Sequence, residues 1–423
     1  MRKTVDVIIV GAALFAMFFG AGNLLFPPTL GYMVGNQWLI TALGFIFTGV
    51  GLPILGIIVL CKCGGTMENL GDKIHPLFTK LLGLIIIVAL GPFLVIPRTG
   101  ATVFEVGIEP LFPGISPLVV AVIYFSITWI FSIKPTGVMD KIGKILTPLL
   151  VLMMGIIIVK GVGSPIGLPI VRNIGSAFGY GFSEGYQTMD ALGSIMMGGM
   201  ALVALREKGY TEKKEQLKLA SQAGLIAGSG LAFVYIGLIY IGATTSGIHG
   251  EALSRSGLLI DIGRRVLGDS GQIGLCIAVS MACLTTAIGL TAIVGKFFDE
   301  LTKGKLSYKF VVTFTCIASC LMASLGVKFI VDLAVPLLQL AYPIVILIVV
   351  MNLFDRWIPN VNIYRGAIIG ATIVSISDII GLSWTSSLPL SAAGFSWLIP
   401  AMICGMIGSF IRDSQNMKAS YSS

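Results

Sequence analysis

Apolar runs of about 20 residues alternate along the chain with short loops that hold nearly all of its charged positions, the length that crosses a hydrocarbon core as helix. The pattern predicts twelve helical spans, near 6–33, 38–61, 81–107, 117–133, 143–161, 174–205, 217–246, 271–298, 307–325, 331–353, 363–381 and 394–411. A transmembrane β-barrel would instead show alternating segments of about ten residues. The predicted fold class is therefore an all-α integral membrane protein.

Two of these spans carry polar or helix-breaking residues in their middles. The first, from Val7 to Gly35, contains Gly20, Gly22, Asn23, Pro27 and Pro28; the sixth, from Ile174 to Leu205, is interrupted around Gly179, Gly181, Glu184 and Gly185. Backbone left unpaired in hydrocarbon is tolerated only where it is buried in protein or lines a polar cavity. Breaks at corresponding places in two halves of a membrane chain mark the site of a carrier. Five is an odd number of spans, so a second set of five enters the membrane inverted. The expected layout is a first repeat over 1–165, an inverted repeat over 166–360, and two further spans with a short tail over 361–423.

Composition excludes a soluble protein: 56% of the 423 residues are hydrophobic and 11% charged, against about 25% charged in soluble domains, and mean hydropathy is +0.95. The net charge of +8 is not read as a nucleic-acid footprint. Most basic residues, among them Lys3, Lys62, Lys73, Lys141, Arg206, Lys218, Lys303, Arg412 and Lys418, fall in loops on one side, which places both termini in the cytoplasm, facing anionic lipid. The mixed-sign tract from Arg206 to Lys214 reads as a solvated inside loop, and His249 as a solvated outside one. Residues 247–270 carry apolar positions at helical spacing and predict a short amphipathic helix. Seven cysteines, mostly within spans, and two histidines make neither a disulfide framework nor a zinc site. The start MRKTVDVIIVGAALF has a basic head and apolar run like a signal peptide, but the run continues too far, so it is read as a retained span. No phosphate loop follows a strand and opens a helix, which argues against an ATP-driven pump. No cofactor is expected.

Three groups of residues carry candidate chemistry. At Gly20, Ala21, Gly22 and Asn23 glycine allows close approach, and Pro27 removes an amide hydrogen and crowds the carbonyl of Asn23. Unwinding there frees amides for a carboxylate and carbonyls for a cation; the plainer alternative is small-residue packing with a proline kink. Phe182, Ser183, Glu184, Gly185 and Tyr186 form the second group, with Phe182, Tyr186 and Met17 as liners of an apolar side-chain pocket. A mid-span carboxylate such as Glu184 is costly and marks function by default; it would meet a substrate ammonium or a coupling ion, or else pair with Arg98, an equally isolated intramembrane charge. Asp190, further along the same span, is placed in the cytoplasmic half of the pathway. Thr285 and Thr286 make the third group, and by spacing alone they bond back to their own helix.

The stretches GAGNLLFPP (20–28), FSEGYQTMD (182–190) and CLTTAIGLTA (283–292) resemble the bacterial branched-chain amino acid:cation symporter family, the BrnQ-type carriers, along essentially the whole chain. More distantly, the first resembles the opening span of neurotransmitter-type sodium symporters, with one extra residue between GxGN and FP. The resemblance implies a bacterial cytoplasmic-membrane carrier that takes up leucine, isoleucine and valine with sodium by alternating access. It implies a sodium site from the hydroxyls of Thr285 and Thr286 and the carbonyls of Ala16, Phe19 and Ala282. The runner-up coupling ion is the proton, carried by Glu184. An ion channel or a membrane-embedded enzyme fits less well, because neither a repeated carbonyl filter nor a cluster of nucleophile, base and metal ligands is visible.

Overall fold

A computed structural model describes residues 2–65, 67–71, 74–134, 138, 142–248, 253–268, 271–358, 360–391 and 394–411. Lys73, Lys141, His249, Arg412 and Lys418 lie outside them. Among the described residues there is no strand. The principal helices are α1 (Arg2–Phe18), α2 (Ala21–Val34), α3 (Trp38–Ile46), α4 (Leu52–Lys62), α5 (Pro76–Val88), α6 (Val95–Thr102), α7 (Pro117–Ser132), α8 (Thr147–Gly163) and α9 (Ala177–Tyr186). They continue as α10 (Asp190–Glu207), α11 (Lys213–Thr244), α12 (Arg255–Leu267), α13 (Gly271–Leu301), α14 (Tyr308–Ala323), α15 (Val327–Leu353), α16 (Val361–Ile379) and α17 (Leu398–Phe410).

Each apolar window coincides with helix. By length and apolarity alone, five helical runs among the described residues can cross a membrane, and the pair α9–α10, bent by 47°, makes a sixth. The amphipathic segment is α12, whose Leu258, Leu259 and Ile262 are buried where it packs on α2 and α13.

Both predicted interruptions exist, the first confined to Phe19 and Gly20 and the second displaced beyond the predicted residues. In the first span the helix stays intact through Phe18, leaves helical geometry at Phe19 and Gly20, and resumes at Ala21. It then runs straight through Pro27 and Pro28, because neighbouring helices in a membrane bundle supply what a proline removes. In the sixth span Gly179, Gly181, Glu184 and Gly185 sit inside α9, and the break falls at Gln187–Met189, with Met189 at φ 65°. The glycines of α9 serve close packing instead of unwinding. A methyl group on Gly181 would lie 2.0 Å from the carbonyl oxygen of Thr41 in α3. A parallel approach joins α2 to α11, where a methyl on Gly242 would lie 2.0 Å from the carbonyl oxygen of Pro28. A third kink, between α5 and α6, was not predicted; Gly91 leaves helical geometry there beside Pro92.

Helices of the first half pack on helices of the second in matched fashion. α1 and α2 lie on α11 while α9 and α10 lie on α3 and α4. α8 meets α11 and α13; α15 meets α4 and α6. α7 faces α14, and α16 and α17 form a separate hairpin beside α15.

Candidate functional site

Breaking a helix leaves carbonyls without their amide partners, and the fate of those groups defines the site. The amide of Gly20 would close the helical bond to Ala16; it donates to the carbonyl of Phe18 at 2.8 Å and to Oδ1 of Asn23 at 3.3 Å instead. The freed carbonyl of Ala16 accepts from Thr285 Oγ1 at 2.7 Å and from Thr286 Oγ1 at 3.3 Å. Thr286 also donates to the carbonyl of Met17 at 2.8 Å, and Thr285 to that of Ala282 at 2.9 Å. Two hydroxyls and three carbonyls therefore converge where α13 crosses the end of α1, all buried. Thr285, Thr286, Ala16 and Ala282, the residues that the family resemblance brings together, lie side by side here. The carbonyl bonded beside Ala16 is that of Met17 in place of Phe19, because α1 keeps its helical turn to Phe18.

The other side of the break faces α10 and α11. Asn23, in the first turn of α2, donates through Nδ2 to Asp190 Oδ2 at 2.6 Å and to the hydroxyl of Tyr235, which itself donates to Asp190 Oδ2 at 3.1 Å. Asp190 is the first residue of α10, so this buried trio ties the break of the first span to that of the sixth. Arg98 of α6, 1% exposed, donates through Nη1 to the carbonyl of Gln187 at 2.9 Å and through Nη2 to that of Thr188 at 3.4 Å. It caps the carbonyls that the second break exposes. Gly20, Ala21, Asn23, Arg98, Asp190 and Thr286 line one narrow cavity of about 10 Å³, room for about one water. Gly22 packs against the Arg98 guanidinium.

Glu184 lies elsewhere. Its Oε2 is 3.3 Å from Nη1 of Arg255 in α12, and it does not pair with Arg98, whose guanidinium is turned to the break. Arg255 also sits 4.3 Å over the ring of Phe26 in α2, so it bridges α9, α12 and α2. Ser183, Glu184 and Tyr186 line a larger cavity of about 620 Å³ shared with α15 and the segment before α17. Phe182 is buried among Phe47, Tyr186 and Phe395, and Gly185 abuts Thr48. A third cavity, of about 320 Å³, lies along α10 and the last turns of α13.

The Arg255–Glu184 pair is partly shielded, and a thermal-unfolding cycle of Arg255→Ala and Glu184→Ala should give a coupling of about 1 kcal/mol. Additive single effects would mean that the pair contributes nothing.

Sequence reasoning missed the roles of Arg98, Asp190 and Tyr235 at the junction. Isolated intramembrane charge flags the first two; nothing in the sequence separates Tyr235 from any other aromatic in a span.

Two broken helices meeting at a buried polar waist is the arrangement that membrane carriers use for their sites, and solved structures have a similar overall fold. The chain aligns with a Na+-coupled sialic acid symporter in a substrate-bound outward-open state at TM-score 0.65 and 15% identity, covering 96% of this chain and 90% of that one. It aligns with MhsT in complex with L-phenylalanine at TM-score 0.59 and 19% identity, covering 96% and 97%. Residues 3–415 match the family described as branched-chain amino acid transport protein. Branched-chain amino acid permease BraB of Bacillus subtilis is 38% identical over 422 residues, 95% of this chain and 94% of the relative. The branched-chain amino acid transport system 2 carrier protein of Pseudomonas aeruginosa is 33% identical over 420 residues, 95% and 94%. The chain belongs to the branched-chain amino acid transport protein family, a family of multi-pass membrane transporters and not of enzymes.

Proposed function

We propose that this chain imports leucine, isoleucine and valine together with sodium by alternating access. The observation that carries the reading is the convergence of the Thr285 and Thr286 hydroxyls on the carbonyls of Ala16, Met17 and Ala282 beside the first break. A hard cation takes about six oxygens, and these five, with the Phe19 carbonyl two residues beyond Met17, have the right chemistry for sodium. Removing the ion returns each hydroxyl to a carbonyl, so neither state leaves a buried group unmet.

The substrate carboxylate docks at the amides that open α2, from Ala21 to Asn23, where the helix end favours an anion. The branched side chain meets Met17, Leu90, Val95, Met197 and Leu290, which line the same cavity. At about 10 Å³ the waist is closed. One larger cavity lines α9 and another lines α10, the two half-helices that leave the break at 47° to each other. Alternating access would open the waist to one and then the other. The matched packing of α1 and α2 on α11 with α9 and α10 on α3 and α4 supports a five-plus-five arrangement with two appended spans, divided at 1–165, 166–360 and 361–423, and the side on which the basic residues gather favours cytoplasmic termini. Sodium and substrate share the segment between Ala16 and Asn23, so each should tighten the other's binding by the same factor.

The test is uptake of radiolabelled leucine into proteoliposomes under an imposed inward sodium gradient and then a proton gradient alone. Accumulation that needs sodium and is competed away by isoleucine and valine is the expected result. Accumulation with the proton gradient alone would transfer coupling from the threonine pair to a carboxylate, Glu184 or Asp190. No accumulation under either gradient would remove the amino acid assignment.

A further inference from the structure

Arg98 and Asp190 are opposite charges, both buried, lining one cavity, and yet not paired with each other. Arg98 directs Nη1 and Nη2 to the carbonyls of Gln187 and Thr188, while its Nε is buried with no hydrogen-bond partner among the described residues. Asp190 receives Asn23 and Tyr235 on the same oxygen, Oδ2; Oδ1 receives neither. No ion pair within 4.0 Å joins the two, although other such pairs form in the same protein. Two opposite charges desolvated in one waist and held apart are costly, and the arrangement is repaid when something carrying both signs bridges them.

We propose that Arg98 and Asp190 read the two charges of the transported amino acid, Arg98 taking its α-carboxylate and Asp190 its α-ammonium. The proposal rests on the amino acid reading given above and names the charge partners at that site. Its geometry follows from three contacts. The guanidinium lies against the first turn of α2, since a methyl on Gly22 would be 2.6 Å from Nη2. A carboxylate placed there meets the guanidinium and the opening amides of α2 together. When Arg98 turns toward that carboxylate it releases the carbonyls of Gln187 and Thr188, which lie three and two residues before Asp190 and accept from the arriving ammonium. Every group that loses a partner thus gains one. Glu184 is not the ammonium partner, because it pairs with Arg255 and lines the other cavity.

The experiment measures ligand-induced thermal stabilisation of the purified full-length protein in sodium with three ligands of one shape. These are leucine, 4-methylpentanoate, which lacks the ammonium, and 3-methylbutylamine, which lacks the carboxylate. In the unaltered protein each analogue should bind about 100-fold more weakly than leucine, the loss expected for a charged partner left unmet. Arg98→Gln should weaken leucine and 4-methylpentanoate by about 100-fold and leave 3-methylbutylamine within threefold. Asp190→Asn should weaken leucine and 3-methylbutylamine and spare 4-methylpentanoate.

A variant that weakens all three ligands equally would show a structural role and overturn the assignment. If a variant fails to fold, the unaltered protein still decides, since either analogue within tenfold of leucine overturns the assignment by itself. Leucine uptake that persists while the analogue pattern fails removes the charge partners and leaves the transport reading standing. Absence of any leucine binding or uptake removes both.

Discussion

Single Thr285→Ala and Thr286→Ala carriers should reach the membrane folded and, if sodium is the coupling ion as proposed, need about tenfold more of it for half-maximal leucine uptake, with the double substitution needing still more. Each hydroxyl is a neutral oxygen aimed at the candidate ion position, and losing one such partner in a buried site costs about 1–3 kcal/mol, or roughly 5- to 150-fold. Saturating sodium should restore the leucine half-saturation concentration, because the threonines touch the ion position and Asp190 and Arg98 do not depend on them. The substitutions also strip a donor from the carbonyls of Ala16 and Met17, so the sodium-free protein should melt earlier while the sodium-loaded protein loses more. Sodium titrations of uptake and of thermal stability, run on the same preparations, read both effects. Unchanged sodium dependence in both would remove the threonines from the coupling site.

Val in place of Gly181 or Gly242 should abolish the folded carrier. The first added carbon alone would sit 2.0 Å from a backbone oxygen, that of Thr41 for Gly181 and that of Pro28 for Gly242. Backbone cannot rotate aside as a side chain would, so α9 must separate from α3, or α11 from α2. Overpacking of this kind costs about 3 kcal/mol or more, a large part of what holds a protein together. Gly155→Ala is the matched control: it has open space around the added carbon, lies within helix α8, and should be neutral or stabilising by up to about 1 kcal/mol. Fluorescence-detected size exclusion after heating separates these outcomes. A Gly181→Val protein as heat-stable as the parent would mean that the two helices are not in contact as described.

The comparison of glycines explains where sequence reading succeeded and where it slipped. A glycine within an apolar run signals either unwinding or close approach, and composition does not distinguish them. Gly20 lies at a break; Gly181 and Gly185 lie in intact helix and take their meaning from Thr41 and Thr48, well over a hundred positions earlier. For the same reason Pro27 and Pro28 suggested a longer interruption than exists, since what satisfies the freed backbone comes from neighbouring helices.

Glu184 stood out in the sequence as a carboxylate within an apolar span, and the ion pair weighed for it was with Arg98 in another span. The partner, Arg255, comes from the helix α12. Asp190 took the position at the waist because the chain leaves helix at Gln187, two residues beyond the last of the α9 glycines, Gly185.

Hydropathy alone determined that this is a helical membrane protein and where its apolar helices run, and the glycines, prolines and polar residues within them marked the first and sixth spans as interrupted. Hydrocarbon permits so few backbone solutions that a run of apolar residues is nearly a structural statement. The threonine pair of α13 was also visible, though only through resemblance. Tertiary structure decided which freed carbonyls meet which hydroxyls, and that Asn23, Asp190, Tyr235 and Arg98 share one waist. It also decided that Glu184 faces a different cavity. Those outcomes depend on hydrogen bonds between residues as many as 270 positions apart, and a hydrogen bond is decided by distances of a few tenths of an ångström that only the packed bundle sets.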